Sequence, residues 1–229
     1  MKMYDKTVGE VLSLIGNGGE NLPVVLPPTW PDEGRNQLIF SQDAAYELGG
    51  GQLSAIGGVC ITEDREAVGE DEIVLLGKDL PDLREDTPYA RIALIRVKEG
   101  SVEDTNHLYK LVRAQEYVRY HLYPQGFMMR ISSMKNRETV RLRKSDLQAG
   151  LSFDKVGSVF LEAYHRLPEV EAVKLIFVTD PAFDYDALSQ SLLRSEQITQ
   201  ALDHLVNKVN MDCHSCALQE ICEEVEKML

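Results

Sequence analysis

The 229-residue chain is acidic, with 37 Asp and Glu against 24 Lys and Arg and a formal net charge of −13, and 44% of its residues are hydrophobic. This length and composition predict a sizeable core in one large domain or two small ones. The negative charge argues against nucleic acid as the main partner, and no apolar run is long enough to span a membrane. Nothing at the N-terminus resembles a secretory signal, so we expect a reducing, cytoplasmic location.

Hydrophobic periodicity predicts an α+β fold in which a mixed β-sheet packs with about three substantial helices. Residues 1–22 are predicted to form a helical appendage, residues 23–209 the α+β domain, and residues 210–229 a cysteine-rich tail. In chain order, the predicted elements after the first helix are strands at residues 37–40, 55–62, 73–77 and 91–97, a helix at 104–122, strands at 127–132 and 139–142, a helix at 151–167, a strand at 173–179 and a long helix at 185–209.

Three of the four cysteines lie within ten residues of the tail, where Cys213, Cys216 and Cys222 form a C-x2-C-x5-C arrangement. A C-x2-C pair lets two thiolates reach one metal from a tight turn, and a third cysteine can close on the same centre as a helix begins. The spacing therefore predicts a metal or iron-sulfur site. A disulfide and a metal-free trio of reactive thiols are the alternatives.

The identity of the fourth ligand stays open, because zinc and iron-sulfur clusters each normally take four protein ligands and this stretch supplies three. His214 lies between the paired cysteines and would have to point away from a centre that both of them face. Cys60 is a further candidate ligand, although its default interpretation is a buried thiol that packs as a small hydrophobe. Water, a substrate or a side chain from a partner are the remaining options.

A basic segment at residues 135–144 holds five cations and one acid. Charge runs of this kind are usually solvated surface, and the functional alternative is a docking place for phosphates or for an acidic partner. The sequence contains no Gly-x-Ser-x-Gly elbow, no Walker-type phosphate loop and no His-Glu-x-x-His motif. A hydrolase or P-loop enzyme is therefore not predicted.

Five segments follow one another in an order that resembles a known family. They are Tyr46-Glu-Leu-Gly-Gly50, Ile73-Val-Leu-Leu-Gly-Lys-Asp-Leu80, Phe127-Met-Met-Arg-Ile-Ser132, Gly150-Leu-Ser-Phe-Asp-Lys-Val-Gly157 and Val173-Lys-Leu-Ile-Phe-Val-Thr-Asp180. In order and spacing they resemble the middle domain of the acetyl-CoA synthase subunit of the carbon monoxide dehydrogenase/acetyl-CoA synthase complex, also called the acetyl-CoA decarbonylase/synthase β subunit. The resemblance extends over about residues 23–200.

The resemblance implies anaerobic one-carbon metabolism, partners among the subunits of that complex, and coenzyme A as a ligand. The candidates for contacts with its phosphates, or with an acidic partner, are Arg130, Arg137, Arg141 and Arg143. In the family, the middle domain is followed by a domain whose cluster ligands also begin with C-x2-C, and Cys213 and Cys216 fall near the corresponding place.

The sequence also departs from the family. The chain contains no Cys-Gly-Cys motif, which holds the distal nickel in acetyl-CoA synthase, and its third cysteine follows sooner. Acetyl transfer at nickel is therefore not expected from this chain alone. The hypothesis is an accessory, electron-transfer or assembly component that binds a 4Fe-4S or other iron-sulfur cluster through the three tail cysteines. The alternative is a non-catalytic interaction module with a structural zinc.

Overall fold

The structure is a computed structural model that describes residues 3–102, 104–132, 136–207 and 216–227. In chain order, its strands and helices are α1 (Asp5–Ile15), β1 (Glu20–Leu22), β2 (Ala44–Leu48), β3 (Ala55–Thr62), β4 (Glu72–Leu76), a 3-10 helix (Leu80–Asp82), β5 (Tyr89–Val97), α2 (Thr105–Tyr120), β6 (Phe127–Ser132), β7 (Arg137–Arg143), α3 (Lys144–Gln148), α4 (Phe153–His165), β8 (Val170–Val178), α5 (Tyr185–Val206) and α6 (Gln219–Lys227).

The strands form two sheets, which confirms the α+β prediction. The larger sheet has the order β1-β4-β8-β5-β3, and it is mixed because β4 and β8, like β5 and β3, run parallel, whereas β5 and β8 run antiparallel. The smaller sheet has the order β2-β7-β6 and is antiparallel. Strand β5 lies between β8 and β3 and is buried along its whole length, including Arg91 and Arg96.

Neighbouring residues of a strand point to opposite faces of the sheet, so the glycines of β3 show what covers each face. A Cβ on Gly57 would approach Arg119 of α2 and Glu138 of β7, whereas a Cβ on Gly58 would approach Leu192 of α5. The large sheet therefore lies between α5 on one face and α2 with the small sheet on the other. Both glycines allow close approach of these layers.

Both terminal segments pack on the rest of the molecule. In α1, Val8 and Val11 are buried in the common core, and β1 pairs with β4 at the edge of the large sheet. In α6, Val225 is buried, and Glu224 accepts a hydrogen bond of 2.6 Å from Arg194 of α5. Among the described residues, no helix combines the length and the apolar character needed to cross a membrane.

The strand predicted at residues 37–40 is wrong, because this segment is irregular and has no strand partner. Side chains take up its backbone groups instead. The Ile39 amide donates to Met128 Sδ at 3.1 Å, and the Ile39 carbonyl accepts from Arg141 at 2.8 Å. Leu38 and Phe40 are 68% and 61% exposed, so two of the three apolar residues that predicted a strand face solvent from a surface loop.

Candidate functional site

The cysteine tail lies partly outside the described residues, which include neither Cys213 nor His214. Cys216 precedes α6, and its Sγ accepts a hydrogen bond of 3.5 Å from the Leu218 amide. Cys222 lies on α6, is half-buried and packs against the core. The described part of the chain thus places two of the three candidate ligands around the first turn of α6. Within that part, no three His, Cys, Asp or Glu side chains come together as a metal site.

Cys60, the candidate fourth ligand, lies on β3 and is fully buried. Burial raises the pKa of its thiol to about 12, while a hydrogen bond with Ser195 and the charge of Arg119 act in the opposite direction. A thiol in this position stays protonated and packs as an apolar group at neutral pH. This is the default interpretation of its sequence context, and its role as a ligand stays a prediction.

Two of the four candidate arginines hold the loop around residues 47–51 against β7. Arg137 Nη2 donates to the carbonyl oxygens of Gly49 and Gly51 at 2.9 and 3.1 Å. Arg141 Nε donates to Glu47 Oε1 at 2.6 Å, and the two residues face each other across the β2–β7 ladder. Both guanidinium groups are therefore engaged in hydrogen bonds within the fold.

The other two arginines differ from each other in their surroundings. Arg143 donates to Asp146 Oδ2 and to Gln37 Oε1, both at 3.2 Å. Arg130 lies on β6, an edge strand of the small sheet, and its side chain is exposed. Exposure leaves Arg130 in the better position to meet a phosphate from solution.

A buried ionic network joins the two sheets and α2. Arg91 of β5 donates to both carboxylate oxygens of Glu138 at 2.6 and 2.9 Å, and Arg119 Nε lies 3.5 Å from Glu138 Oε2. The three residues are 2%, 0% and 3% exposed in the order Arg91, Glu138, Arg119. The Arg91 guanidinium also lies over the Phe160 ring, 4.0 Å from its centroid. The bidentate geometry makes this a strong pair in a desolvated setting.

The sequence does not predict this network, because Glu138 lies within a segment that its charges predict to be basic surface and Arg91 within a segment that predicts an ordinary strand. A signal was present at Arg91, since an arginine in a largely apolar strand is almost never buried without a partner. The identity of the partner was not available, because Arg91 and Glu138 are 47 residues apart in the chain.

A cleft of ≈ 380 Å³ opens next to the network, at the edge of β3 between α2 and α5. Its apolar lining includes Val59, Val112 and Leu192, and its polar lining includes Arg119, Glu196 and other side chains of α2 and α5. A cavity of this volume is large enough for a small metabolite. Sequence reasoning missed this cleft too, because its walls come from distant parts of the chain.

Three polar side chains form a chain of contacts along the cleft. Asn136 Oδ1 accepts from Arg119 Nη1 at 3.3 Å, and Asn136 Nδ2 lies 3.5 Å from Glu196 Oε2. Burial raises the pKa values of Glu196 and of its neighbour across the cleft, Glu116, and the charge of Arg119 opposes the shift in both. The cleft therefore offers both a cation and partly desolvated carboxylates.

The family model described as the CO dehydrogenase/acetyl-CoA synthase complex beta subunit matches residues 31–183, about two thirds of the 229-residue chain. The matched residues include strands β2 to β8, helices α2 to α4 and the whole Arg91–Glu138–Arg119 network. The resemblance drawn from the five sequence segments is thereby confirmed. No curated protein matches the chain.

Proposed function

Because the chain belongs to the CO dehydrogenase/acetyl-CoA synthase complex beta subunit family, we propose that it serves a carbon-monoxide-linked acetyl-CoA pathway in anaerobic metabolism as an accessory, electron-transfer or assembly component. In this role it holds an iron-sulfur cluster through Cys213, Cys216 and Cys222. The family match supports the assignment to this pathway, and the C-x2-C-x5-C arrangement supports the presence of the cluster. The absence of a Cys-Gly-Cys motif from the sequence separates this role from acetyl transfer at nickel.

The donor set suits such a cluster in its chemistry. Thiolates are the usual ligands of iron-sulfur clusters, and hydrogen bonds to their sulfur atoms help to set the reduction potential. The Leu218 amide already donates to Cys216 Sγ at 3.5 Å, which is a contact of this kind. Packing of Cys222 against the core gives the tail a fixed ligand on the first turns of α6. The cluster itself supplies one-electron redox chemistry when it is bound, and the tail residues hold and shield it.

The test is anaerobic purification of the whole chain, followed by analysis of metal and acid-labile sulfide and by visible and EPR spectra. We expect iron and sulfide together, and their loss in the double variant Cys213→Ser, Cys216→Ser. The matched control is Cys60→Ala, which removes the buried cysteine of β3. Retention of iron and sulfide in this control would exclude Cys60 as the fourth ligand, and loss in a folded control would assign it.

A structural zinc is the alternative occupant, because the same thiols and spacing suit both metals. Stoichiometric zinc without sulfide would overturn the cluster and favour a non-catalytic interaction module, whose metal fixes the tail. In that case a chelator should increase hydrogen exchange in α6 while β5 stays protected, because metal binding contributes folding free energy only where it orders the chain.

Coenzyme A is a second candidate ligand, and the exposed position of Arg130 is the observation that favours it. Calorimetric titration of the chain with coenzyme A tests this role. Arg130→Ala should weaken binding, whereas Arg143→Ala, which removes a guanidinium already bound to Asp146 and Gln37, is the matched control. Equal effects of the two variants would indicate a general charge effect and count against a phosphate contact at Arg130.

A further inference from the structure

The Arg119 guanidinium at the cleft is incompletely paired. Its Nε lies 3.5 Å from Glu138 Oε2, and its Nη1 donates to Asn136 Oδ1 at 3.3 Å. No group in the described part of the chain accepts a hydrogen bond from its Nη2, although Arg119 is 3% exposed. Buried donors without an acceptor are uncommon in folded proteins, and a charged donor costs the most. Arg119 is therefore short of an acceptor.

The charges around Arg119 indicate that the missing group is an anion. Arg91, Arg119 and Glu138 together carry two positive charges and one negative charge in a place from which water is excluded. The carboxylates of Glu116 and Glu196 line the cleft, but no salt bridge joins either of them to Arg119 within the described residues. An oxyanion on the guanidinium would supply both the acceptor and the charge.

Asn136 shows what such a ligand has to present. Its amide places an acceptor on Arg119 and a donor toward Glu196, through contacts of 3.3 and 3.5 Å that are at or beyond the long end of the hydrogen-bond range. Long contacts are weak, so a ligand with shorter ones displaces them. A molecule with a carboxylate beside a donor makes both replacements at once, with charge assistance on each side.

We propose that this cleft binds a small metabolite that carries a carboxylate for Arg119 and a hydrogen-bond donor, an ammonium or an amide, for Glu196. The volume of ≈ 380 Å³ lies near the lower end of the range for small-molecule sites and matches a short carbon chain between the two groups. Val59, Val112 and Leu192 supply apolar surface for that chain. This site is independent of the tail cysteines and of the proposed cluster.

The proposal is tested by NMR titration of the 15N-labelled full chain with defined probes. Glycine, β-alanine and γ-aminobutyrate carry both groups at increasing separation, acetate carries the carboxylate alone, and butylamine carries the ammonium alone. We expect saturable shifts at the amides of Gly58 and Asn136 and at Arg119 Nε, with the best zwitterion at least about tenfold tighter than acetate or butylamine, because a hydrogen bond to a charged group is worth that factor or more. No saturable shift with any probe would overturn the proposal.

Two variants that leave the buried network intact sharpen the test. Glu196→Gln keeps the shape of the side chain and removes the charge, so zwitterion binding should weaken while acetate binding is retained or tightens. Asn136→Gly removes the competing amide at a residue whose φ of 47° suits glycine, so zwitterion binding should tighten. Arg166→Ala is the control, because Arg166 is paired with Glu162 on the exposed side of α4, lies outside the cleft lining and should leave affinity unchanged. If Glu196→Gln changed the affinities for acetate and for the zwitterion in the same direction and by the same factor, the effect would be general electrostatics and the proposed ligand would be refuted.

Discussion

Glu138→Gln is the substitution that tests most directly what stabilises the fold between the two sheets. Glu138 is completely buried and accepts from Arg91 at 2.6 and 2.9 Å, with Arg119 Nε at 3.5 Å. Glutamine keeps the size and shape of the side chain. It removes the negative charge and turns one of the two acceptor oxygens into an amide that faces a guanidinium donor. Two buried cations are then left without a counter-charge.

The expected loss in the free energy of unfolding is roughly 3–5 kcal/mol, the range for a buried ion pair from which one partner is removed. The contacts are in keeping with this range, because glutamine keeps one acceptor oxygen but loses one of the two short bonds from Arg91, worth roughly 1.5–3 kcal/mol as a hydrogen bond to a charged group, and the lost counter-charge adds to this. Each kcal/mol shifts the melting temperature of a domain of this size by about 2–4 °C. The melting temperature should therefore fall by roughly 6–20 °C.

Differential scanning calorimetry and urea unfolding of the two proteins measure this change. The matched control is Glu162→Gln, which makes the same substitution in the exposed pair with Arg166, where the separation is 3.3 Å. Exposed pairs of this kind contribute about 0–1 kcal/mol, so the control should change little. If Glu138→Gln shifted the midpoint no further than Glu162→Gln, the buried network would not be a main source of stability.

Three further predictions concern the core and the tail. Gly57→Ala should destabilise the fold by about 1–3 kcal/mol, because its Cβ would lie 2.6 Å from Arg119 Nη2. Gly9→Ala on α1 is the control and should not destabilise the fold, because no atom lies within 4 Å of its Cβ position. The midpoints of urea unfolding compare the two variants, and equal midpoints would refute the steric argument. Burial raises the pKa of Cys60 to about 12, so the folded state keeps a proton that the unfolded state loses above pH 9. The free energy of unfolding should therefore fall between pH 9 and 12. Cys60→Ala should flatten this decline, as measured by the midpoints of urea unfolding at each pH. An equally steep decline in the variant would contradict that assignment. Val225→Asp should detach α6, seen as faster hydrogen exchange in α6 with β5 unchanged, and unchanged exchange in α6 would show that its packing depends on other contacts.

The sequence predicted the elements whose hydrophobic pattern is clear, either as an apolar or alternating strand or as a helix with one apolar face. The strands at residues 55–62, 91–97 and 173–179 and the helices at residues 104–122 and 151–167 all agree with the structure to within a few residues. The strand β2 was missed, because most of its residues are half-buried and its pairing depends on contacts with β7, such as Glu47 with Arg141. The short helix α3 was missed for a related reason, since five residues give no periodicity to detect.

The site was harder to predict than the fold, because its parts meet only through tertiary contacts. The cysteine spacing is a local signal and can be read directly, whereas Arg119 and Asn136 are 17 residues apart and Asn136 and Glu196 are 60 apart. The candidate arginines illustrate the opposite error. Their charge suggested a phosphate-binding surface, but Arg141 forms an ion pair with Glu47. Glu47 lies about 90 positions earlier in the chain, and no local sequence pattern connects the two residues.

The family match and the tail cysteines rest on different parts of the chain. Residues 31–183 contain the ionic network and every strand except β1, whereas α5 and α6 lie beyond them. Helix α5 joins the two regions, because Arg194 binds Glu224 on α6 while its neighbour Glu196 lines the cleft. A variant that detaches α6 therefore changes the setting of the cysteines without touching the network that the family match includes. If Val225→Asp lost its metal, metal binding by the tail would depend on the packing of α6. If adding Glu138→Gln to this variant still lowered the melting temperature, the fold of residues 31–183 would not depend on α6.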